Sequence, residues 1–268
     1  MLPIDLHSLT IRLPGISSRF QAASPFRYVI IDDFLRFEVA QRIHDEFPPI
    51  DKRTWVSANG LQTRNKWTNP TMAGSVADQF YRQVNSSEFV AWLSRMTGIR
   101  NLLADYTLEG AGYHQTIDGG FLNVHIDFNK LRETGLDRRL NLIVYLNHGL
   151  QEQLGGALEL WDREANRKIE HIPPTFNRCV IFETNEISFH GHPAPWSTGG
   201  KTSRKSLSVY YYSEGRQDIG AADSHTTMYL NTEGAAGQWK LLINGIRDLV
   251  GLGWIKRRLR RRFPPPSA

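Results

Sequence analysis

The chain has 268 residues, of which 40% are hydrophobic and 22% charged, so it can bury a large core as one large domain or two small ones. No apolar run approaches the ~18 residues of a membrane span, and the N-terminus lacks the charged start and apolar block of a secretory signal. The single cysteine, Cys179, excludes an internal disulfide. These features predict a cytoplasmic protein.

The excess positive charge is concentrated near the C-terminus. Residues 256–262 (KRRLRRR) contain six basic side chains, and the formal net charge of +5 falls to −1 without them. A near-neutral body argues against a nucleic-acid-binding protein. Residues 238–262 have helical spacing, with an apolar stripe from Trp239 to Trp254, which leaves two interpretations open. The helix contacts an anionic membrane surface peripherally, or it packs on the protein and is followed by a solvated tail.

The N-terminal part of the chain predicts one strand and one helix between irregular segments. Residues 1–24 show no regular pattern and are predicted to be irregular. The β-branched and aromatic segment 26–33 predicts a strand, and the spacing of apolar residues in 37–47 predicts a helix. Residues 55–72 are predicted to form a loop or a short strand.

The middle of the chain predicts helices first and then a β-rich region. Apolar spacing over 75–99, interrupted at 85–87, predicts two amphipathic helices that cover one face of a sheet. Short strands with turn residues between them follow, and they are predicted at 102–109, 111–116, 120–127, 138–147, 155–161, 167–172, 178–183, 187–191 and 204–213. Short strands at this spacing fit a jelly roll, also called a double-stranded β-helix.

The predicted fold is therefore mainly β with flanking α-helices. We expect a single domain over 1–268, in which 1–100 supplies a strand and supporting helices. Residues 101–215 form the jelly-roll core, and 216–268 form a C-terminal helix and basic tail.

A histidine and an aspartate in segment 121–128 (FLNVHIDF) suggest a metal site. His125 and Asp127 lie two residues apart in an alternating apolar pattern, so they face the same side of a strand. A distant second histidine would complete a 2-His-1-carboxylate set, which suits non-haem Fe(II) and leaves coordination positions open. We favour His190 as that ligand, because Pro193 indicates that the strand ends at His192. His192 remains the alternative metal ligand. If His190 binds the metal, His192 contacts another metal ligand or the substrate.

Six motifs extend this pattern along the chain in a fixed order. They are HID at 125–127, LIVYLN at 142–147, GGALEL at 155–160, PTFNRCVIF at 174–182, SFH at 188–190 and SRKSLSVY at 203–210. Together they resemble the Fe(II)/2-oxoglutarate-dependent oxygenases, in particular the prolyl 4-hydroxylase-like branch, over about residues 105–213. The resemblance implies that Fe(II) and 2-oxoglutarate are used and that a C–H bond is hydroxylated. A requirement for ascorbate stays open.

The resemblance also implies a basic residue on the strand after the distal histidine, which binds the far carboxylate of 2-oxoglutarate. Lys201, Arg204 and Lys205 are the candidates. Alternation places Arg204 and Ser206 on one face of the strand and Lys205 on the other, apolar, face. A guanidinium also matches a carboxylate bidentately. We therefore predict that Arg204 is the anchor.

The resemblance assigns further positions to the cosubstrate pocket. Tyr145 matches the position whose hydroxyl supports the same carboxylate, and Ile143 shares its inward face. Tyr113 and Asn123 occupy positions on earlier strands that we expect on the cosubstrate side. The predicted cofactor-binding residues are Arg204, Tyr145, Tyr113, Ser206, Ile143 and Asn123, and the predicted metal ligands are His125, Asp127 and His190. No catalytic side chain is predicted beyond the metal ligands.

The predicted function is that of an Fe(II)- and 2-oxoglutarate-dependent dioxygenase. Its substrate is unidentified, and a peptidyl proline, an amino acid and a sugar or glycan all fit. One alternative is a catalytically silent jelly roll that binds a glycan or a protein, which predicts a degraded set of metal ligands. Another is a metal-dependent cupin-like enzyme that does not use 2-oxoglutarate, which would not need Arg204 to face inward.

Overall fold

The protein is described by a computed structural model that covers residues 2–70, 75–149, 154–162, 164, 166–216 and 224–230. The chain divides into two compact units, Met1–Met228 and Tyr229–Ala268. Of the second unit the structure describes only Tyr229 and Leu230. The predicted C-terminal helix and basic tail lie outside the described residues, so they stay predictions, as does the single domain over 1–268.

Five helices lie in the described part of the chain. They are α1 (Leu6–Ile11), α2 (Leu13–Ala22), α3 (Phe37–Asp45), α4 (Val76–Val84) and α5 (Ser87–Thr97). The hydroxyls of Ser75 and Ser86 cap α4 and α5 by accepting hydrogen bonds from backbone N–H groups. α5 ends at Gly98, whose φ of +74° suits glycine. Serine caps and apolar spacing thus produce the two helices predicted within 75–99.

Helices α1 and α2 overturn the prediction that residues 1–24 are irregular. The Asp5 side chain accepts a hydrogen bond from the backbone N–H of Ser8 and begins α1. In α2, Pro14 lies in the first turn, where its missing N–H costs nothing. Ile16 and Phe20 are four residues apart and both buried. That pair was the helical signal, but it is too short to stand out in the sequence.

Twelve strands complete the described secondary structure. They are β1 (Tyr28–Ile31), β2 (Val56–Ala58), β3 (Thr63–Asn69), β4 (Leu103–Ala104), β5 (Gly112–Ile126), β6 (Asp137–Tyr145), β7 (Leu158–Asp162), β8 (Arg167–Ile172), β9 (Cys179–Glu183), β10 (Phe189–His192), β11 (Arg204–Ser213) and β12 (Met228–Tyr229). The main path through the sheet is β1-β9-β6-β11-β5-β10-β7-β8, with β3 also on β5 and β4 on β11. The described pairings along this path are antiparallel.

Strand β5 joins the two halves of the sheet. Its residues 112–116 pair with β11, and its residues 122–125 pair with β10. Between these parts the pairing with β3 shifts register, and Gly119 has a φ of +72°. Such an irregularity bends a strand and changes the face to which later side chains point. The sheet therefore curls around its inner face, where the cavity described below lies.

Three stretches differ from the sequence prediction. The strands predicted separately at 111–116 and 120–127 form the single strand β5. The strand predicted at 102–109 is only β4, because the Asp105 carboxylate accepts hydrogen bonds from the N–H groups of Thr107 and Leu108 and forms a turn. Leu108 has a φ of +52°, which ends the extended conformation. Residues 55–72, predicted as loop or short strand, form the antiparallel pair β2 and β3.

The main apolar core lies between the helices and the outer face of the sheet. Phe89 and Trp92 of α5 are stacked and fully buried, and they belong to the same cluster as Leu142 of β6 and Val209 of β11. This arrangement agrees with the prediction that helices cover one face. None of the helices in the described ranges combines the length and the apolarity of a membrane span.

Candidate metal centre

Three side chains from two strands converge at one point of the inner face. His125 is the second-to-last residue of β5, Asp127 directly follows the end of that strand, and His190 lies on β10 opposite His125. The Nε2 atom of His125 is 3.6 Å from Asp127 Oδ1, and the Nε2 atom of His190 is 3.4 Å from Asp127 Oδ2. One ligand atom from each residue lies within 4.8 Å of the others. The structure therefore brings together the three predicted ligands.

Each imidazole is oriented by its second nitrogen. The Nδ1 of His125 is 2.8 Å from the carbonyl oxygen of Asn123, and the Nδ1 of His190 is 2.8 Å from that of Ser188. A carbonyl only accepts, so both Nδ1 atoms donate, and in a neutral ring the Nε2 lone pair is left for a metal. Hydrogen bonds of this kind fix the tautomer and orientation of metal-binding histidines.

The Asp127 carboxylate is held from behind by Arg138 and Asn141. Asp127 Oδ2 forms an ion pair with an Arg138 amino group at 3.0 Å and accepts a hydrogen bond from Asn141 Nδ2 at 2.8 Å. Arg138 is almost fully buried, and its guanidinium lies 3.4 Å from the centre of the Tyr210 ring. Stacking and ion pairing together offset the cost of burying this charge.

These contacts set the protonation states that a metal requires. Burial alone would raise the pKa of Asp127, but Arg138 and the two histidines hold it well below its usual range. Burial lowers the pKa of His190 to about 4, despite the opposing effect of Asp127. At neutral pH the carboxylate is therefore ionised and His190 is neutral, as metal ligands must be. Two imidazoles and one carboxylate fit Fe(II).

His192 lines the same cavity, but it is not part of the group formed by His125, Asp127 and His190. Its ring is buried, and neither nitrogen has a hydrogen-bond partner within the described residues. Burial, followed by the charge of Arg204, holds the pKa of His192 well below its usual range. A neutral ring with a donor and an acceptor thus faces the cavity, where it can contact a bound molecule.

Arg204 lies on the inner face at the start of β11. Its Nε donates to the carbonyl oxygen of Gly156 at 2.6 Å, and one amino group donates to the hydroxyl of Tyr145 at 3.4 Å. The guanidinium also packs over the Tyr145 ring, 4.9 Å from its centre. Lys205 points to the opposite face, where its ammonium lies 5.3 Å from the Phe47 ring centre. Strand alternation thus separates the two cations.

The glycine pair before β7 allows Arg204 this position. Gly156 has a φ of +70°, and a Cβ there would lie 2.7 Å from the Trp196 ring and 3.0 Å from Arg204 Cδ. Gly155 has a φ of +71°, and a Cβ there would clash with the carbonyl oxygen of Pro195. Any larger residue would displace the backbone that orients the guanidinium.

Two of the other predicted pocket residues line the cavity, and two do not. Ser206 and Ile143 line it together with Arg204. Tyr113 instead packs against Phe47 with a ring separation of 5.0 Å, and its hydroxyl donates to Ser75. The register shift in β5 explains this, because Tyr113 and His125 would share a face of a regular strand.

The Asn123 side chain bonds to Gln62, so it also lies outside the cavity. Asn123 contributes to the centre through its backbone carbonyl, which orients His125. The structure thus gives this position a role through the main chain and not through its amide.

The cavity wall contains polar residues beyond the predicted metal ligands and cosubstrate residues. The cavity has a volume of about 90 Å³, and its wall includes Lys66 and His114 beside the metal ligands and Arg204. Burial lowers the pKa of Lys66 to about 8, with the charge of Arg204 as the second cause. In β3, Lys66 and Thr68 lie on the same face of the strand, because side chains alternate. The sequence near Lys66 contains no signal that this face lines the cavity.

The comparisons with known proteins agree with this geometry. Residues 111–212 match a sequence family described as the 2OG-Fe(II) oxygenase superfamily. The prolyl 3-hydroxylase OGFOD1 of Mus musculus is 30% identical over 135 residues, which cover 49% of this chain and 23% of that protein. The chain thus matches less than a quarter of the relative's length.

Two solved structures share the fold. A prolyl-4-hydroxylase from Pseudomonas putida aligns with a TM-score of 0.53 and 16% identity, over 75% of this chain and 100% of the other. A prolyl hydroxylase from Trichoplax adhaerens, in complex with a peptide fragment of the hypoxia inducible factor oxygen degradation domain, aligns with a TM-score of 0.53 and 17% identity, over 77% of this chain and 92% of the other. These likenesses confirm the predicted jelly-roll fold.

Proposed function

We propose that the chain is a member of the 2OG-Fe(II) oxygenase superfamily, whose family model matches residues 111–212, and that it is an Fe(II)- and 2-oxoglutarate-dependent dioxygenase that hydroxylates an unactivated C–H bond. The observation that carries the proposal is the convergence of His125, Asp127 and His190 in one cavity, with Arg204 in its wall. Three protein ligands leave coordination positions open, which a bidentate cosubstrate and O2 require.

The three metal ligands, Arg204 and Tyr145 have distinct roles in this proposal. His125, Asp127 and His190 hold the metal, and Arg204 with Tyr145 binds the far carboxylate of 2-oxoglutarate. Two of the five N–H donors of Arg204 bond to Gly156 and Tyr145, so the remaining three are left for that carboxylate. Bound Fe(II) and 2-oxoglutarate supply the oxidising chemistry, in which O2 and the substrate C–H bond give succinate, CO2 and the hydroxylated product. The protein contributes orientation and a cavity sheltered from water.

The choice of substrates to test follows from the relatives of the chain. The relatives described above are prolyl hydroxylases, so a prolyl residue in a peptide is the first substrate to test. Fold likeness is a weak guide to substrate, so amino acids and sugars or glycans belong in the same screen. The cytoplasm stays the predicted compartment, and it is compatible with the buried free thiol of Cys179.

The intact site argues against the two alternative functions. A catalytically silent jelly roll has no need to keep two histidines and an aspartate within ligand distance, each with its own supporting hydrogen bonds. A cupin-like enzyme that does not use 2-oxoglutarate has no need for a buried guanidinium beside the metal centre.

Uncoupled turnover is the experiment that tests the proposal. Wild-type protein supplied with Fe(II), 2-oxoglutarate and O2 should form succinate without a substrate, and His125→Ala should reduce this to the level of a protein-free reaction. The matched control is His171→Ala, which removes an exposed histidine of β8 and should leave succinate formation unchanged. Equal succinate formation by wild type and His125→Ala would refute the oxygenase assignment.

A further inference from the structure

Lys66 and Arg204 lie in one row across the inner face of the sheet. Lys66 of β3 is the register partner of Thr116 on β5, and Thr116 is the partner of Arg204 on β11. Register partners on antiparallel strands point to the same face, so the two cations flank Thr116. Both line the cavity that contains the metal centre.

The ammonium of Lys66 is not committed to another part of the protein. It is half-buried, and among the described residues it has neither a hydrogen-bond acceptor nor an ion-pair partner. The carboxylate in the cavity wall, Asp127, is already bound by Arg138 and Asn141. An uncompensated cation in a partly desolvated site is unfavourable unless an anion binds there.

The charges of the proposed cosubstrate complex can be balanced without this cation. Asp127 and Arg138 neutralise each other, and the two charges of Fe(II) balance the two carboxylates of 2-oxoglutarate. In the proposed function Arg204 would bind the far carboxylate of 2-oxoglutarate, and the metal would bind its keto-acid end. His114 and His192 are kept neutral by burial. On these assignments the loaded cavity keeps an excess of positive charge, and Lys66 is the cation in its wall to which the proposed function assigns no partner.

On the basis of the proposed function, we propose that Lys66 binds an anionic group of the substrate, and that the substrate therefore carries a carboxylate or a phosphate close to the C–H bond that is oxidised. The pKa of Lys66, lowered by burial and by Arg204 to about 8, leaves the ammonium as the major form at neutral pH. Lys66 then selects among substrates, whereas Arg204 holds the cosubstrate.

The first arm of the test measures the affinity for 2-oxoglutarate. Anaerobic Fe(II)-loaded wild type, Lys66→Met and the control Lys201→Met, which removes an exposed lysine, are titrated with 2-oxoglutarate by calorimetry. All three should bind it with the same affinity. Tenfold weaker binding by Lys66→Met would assign this residue to the cosubstrate and overturn the proposal. Failure of wild type to bind 2-oxoglutarate would instead refute the proposed function.

The second arm uses matched pairs of small probes at saturating 2-oxoglutarate. The pairs are N-acetylproline and its amide, N-acetylaspartate and N-acetylasparagine, and O-phosphoserine and serine. In at least one pair the anion should bind wild type about tenfold more tightly than the neutral partner, as a charge-assisted hydrogen bond requires. Lys66→Met should abolish this preference, and Lys66→Arg should restore it. Anions that bind no better than their neutral partners, or equally well to Lys66→Met, would overturn the proposal.

Discussion

The most informative perturbation of the metal centre is Arg138→Met, which removes the charge behind Asp127 without touching a ligand. Arg138 contributes the 3.0 Å ion pair to Asp127, two hydrogen bonds to the Asn141 side-chain oxygen, and the stacking on Tyr210. Methionine retains part of the packing volume but leaves the Asp127 carboxylate buried without its counter-charge.

The expected loss of stability follows from that uncompensated charge. Removal of one partner from a buried ion pair costs about 3–5 kcal/mol, and the lower value applies here because Asn141 still donates to Asp127. About 3 kcal/mol corresponds to a decrease in Tm of about 6–12 °C for a domain of this size. A divalent cation replaces the missing charge, so it should raise the Tm of the variant by more than it raises the Tm of wild type.

Thermal unfolding followed by circular dichroism, with EDTA or with saturating Mn(II), measures both effects. Arg132→Met removes an exposed arginine that lies close in the chain, and it should behave as wild type under both conditions. The reasoning is refuted if Arg138→Met unfolds at the wild-type temperature in EDTA, or if Mn(II) stabilises wild type and the variant equally.

Three further predictions concern the carboxylate anchor. Arg204→Met should weaken 2-oxoglutarate binding by about tenfold or more, because a bidentate charge-assisted pair is lost, while Lys201→Met should not change it in the same titration. Gly156→Ala should lower both the Tm and the 2-oxoglutarate affinity, because its Cβ would lie 2.7 Å from the Trp196 ring; an unchanged Tm would contradict this. Tyr145→Phe should weaken binding by only about two- to fivefold, since its hydroxyl accepts a long 3.4 Å hydrogen bond from Arg204, and a loss equal to that of Arg204→Met would show that the hydroxyl is the main anchor.

The parts of this protein that depend on neighbours along the chain could be predicted from sequence. His125 and Asp127 share a side because side chains alternate along an extended backbone, and the same period separates Arg204 from Lys205. Helices α4 and α5 followed from apolar spacing, which is also local. Where the local pattern was short, as in α2, the prediction was wrong.

The composition of the cavity depended on strand register, which local sequence does not encode. His190 meets Asp127 because β10 pairs with β5 so that His190 lies opposite His125, 65 residues earlier in the chain. Lys66 enters through the pairing of β3 with β5, and Tyr113 leaves the cavity because β5 shifts register near Gly119. A shift by one residue exchanges the faces of a strand, so only the assembled sheet decides which side chains share the metal centre.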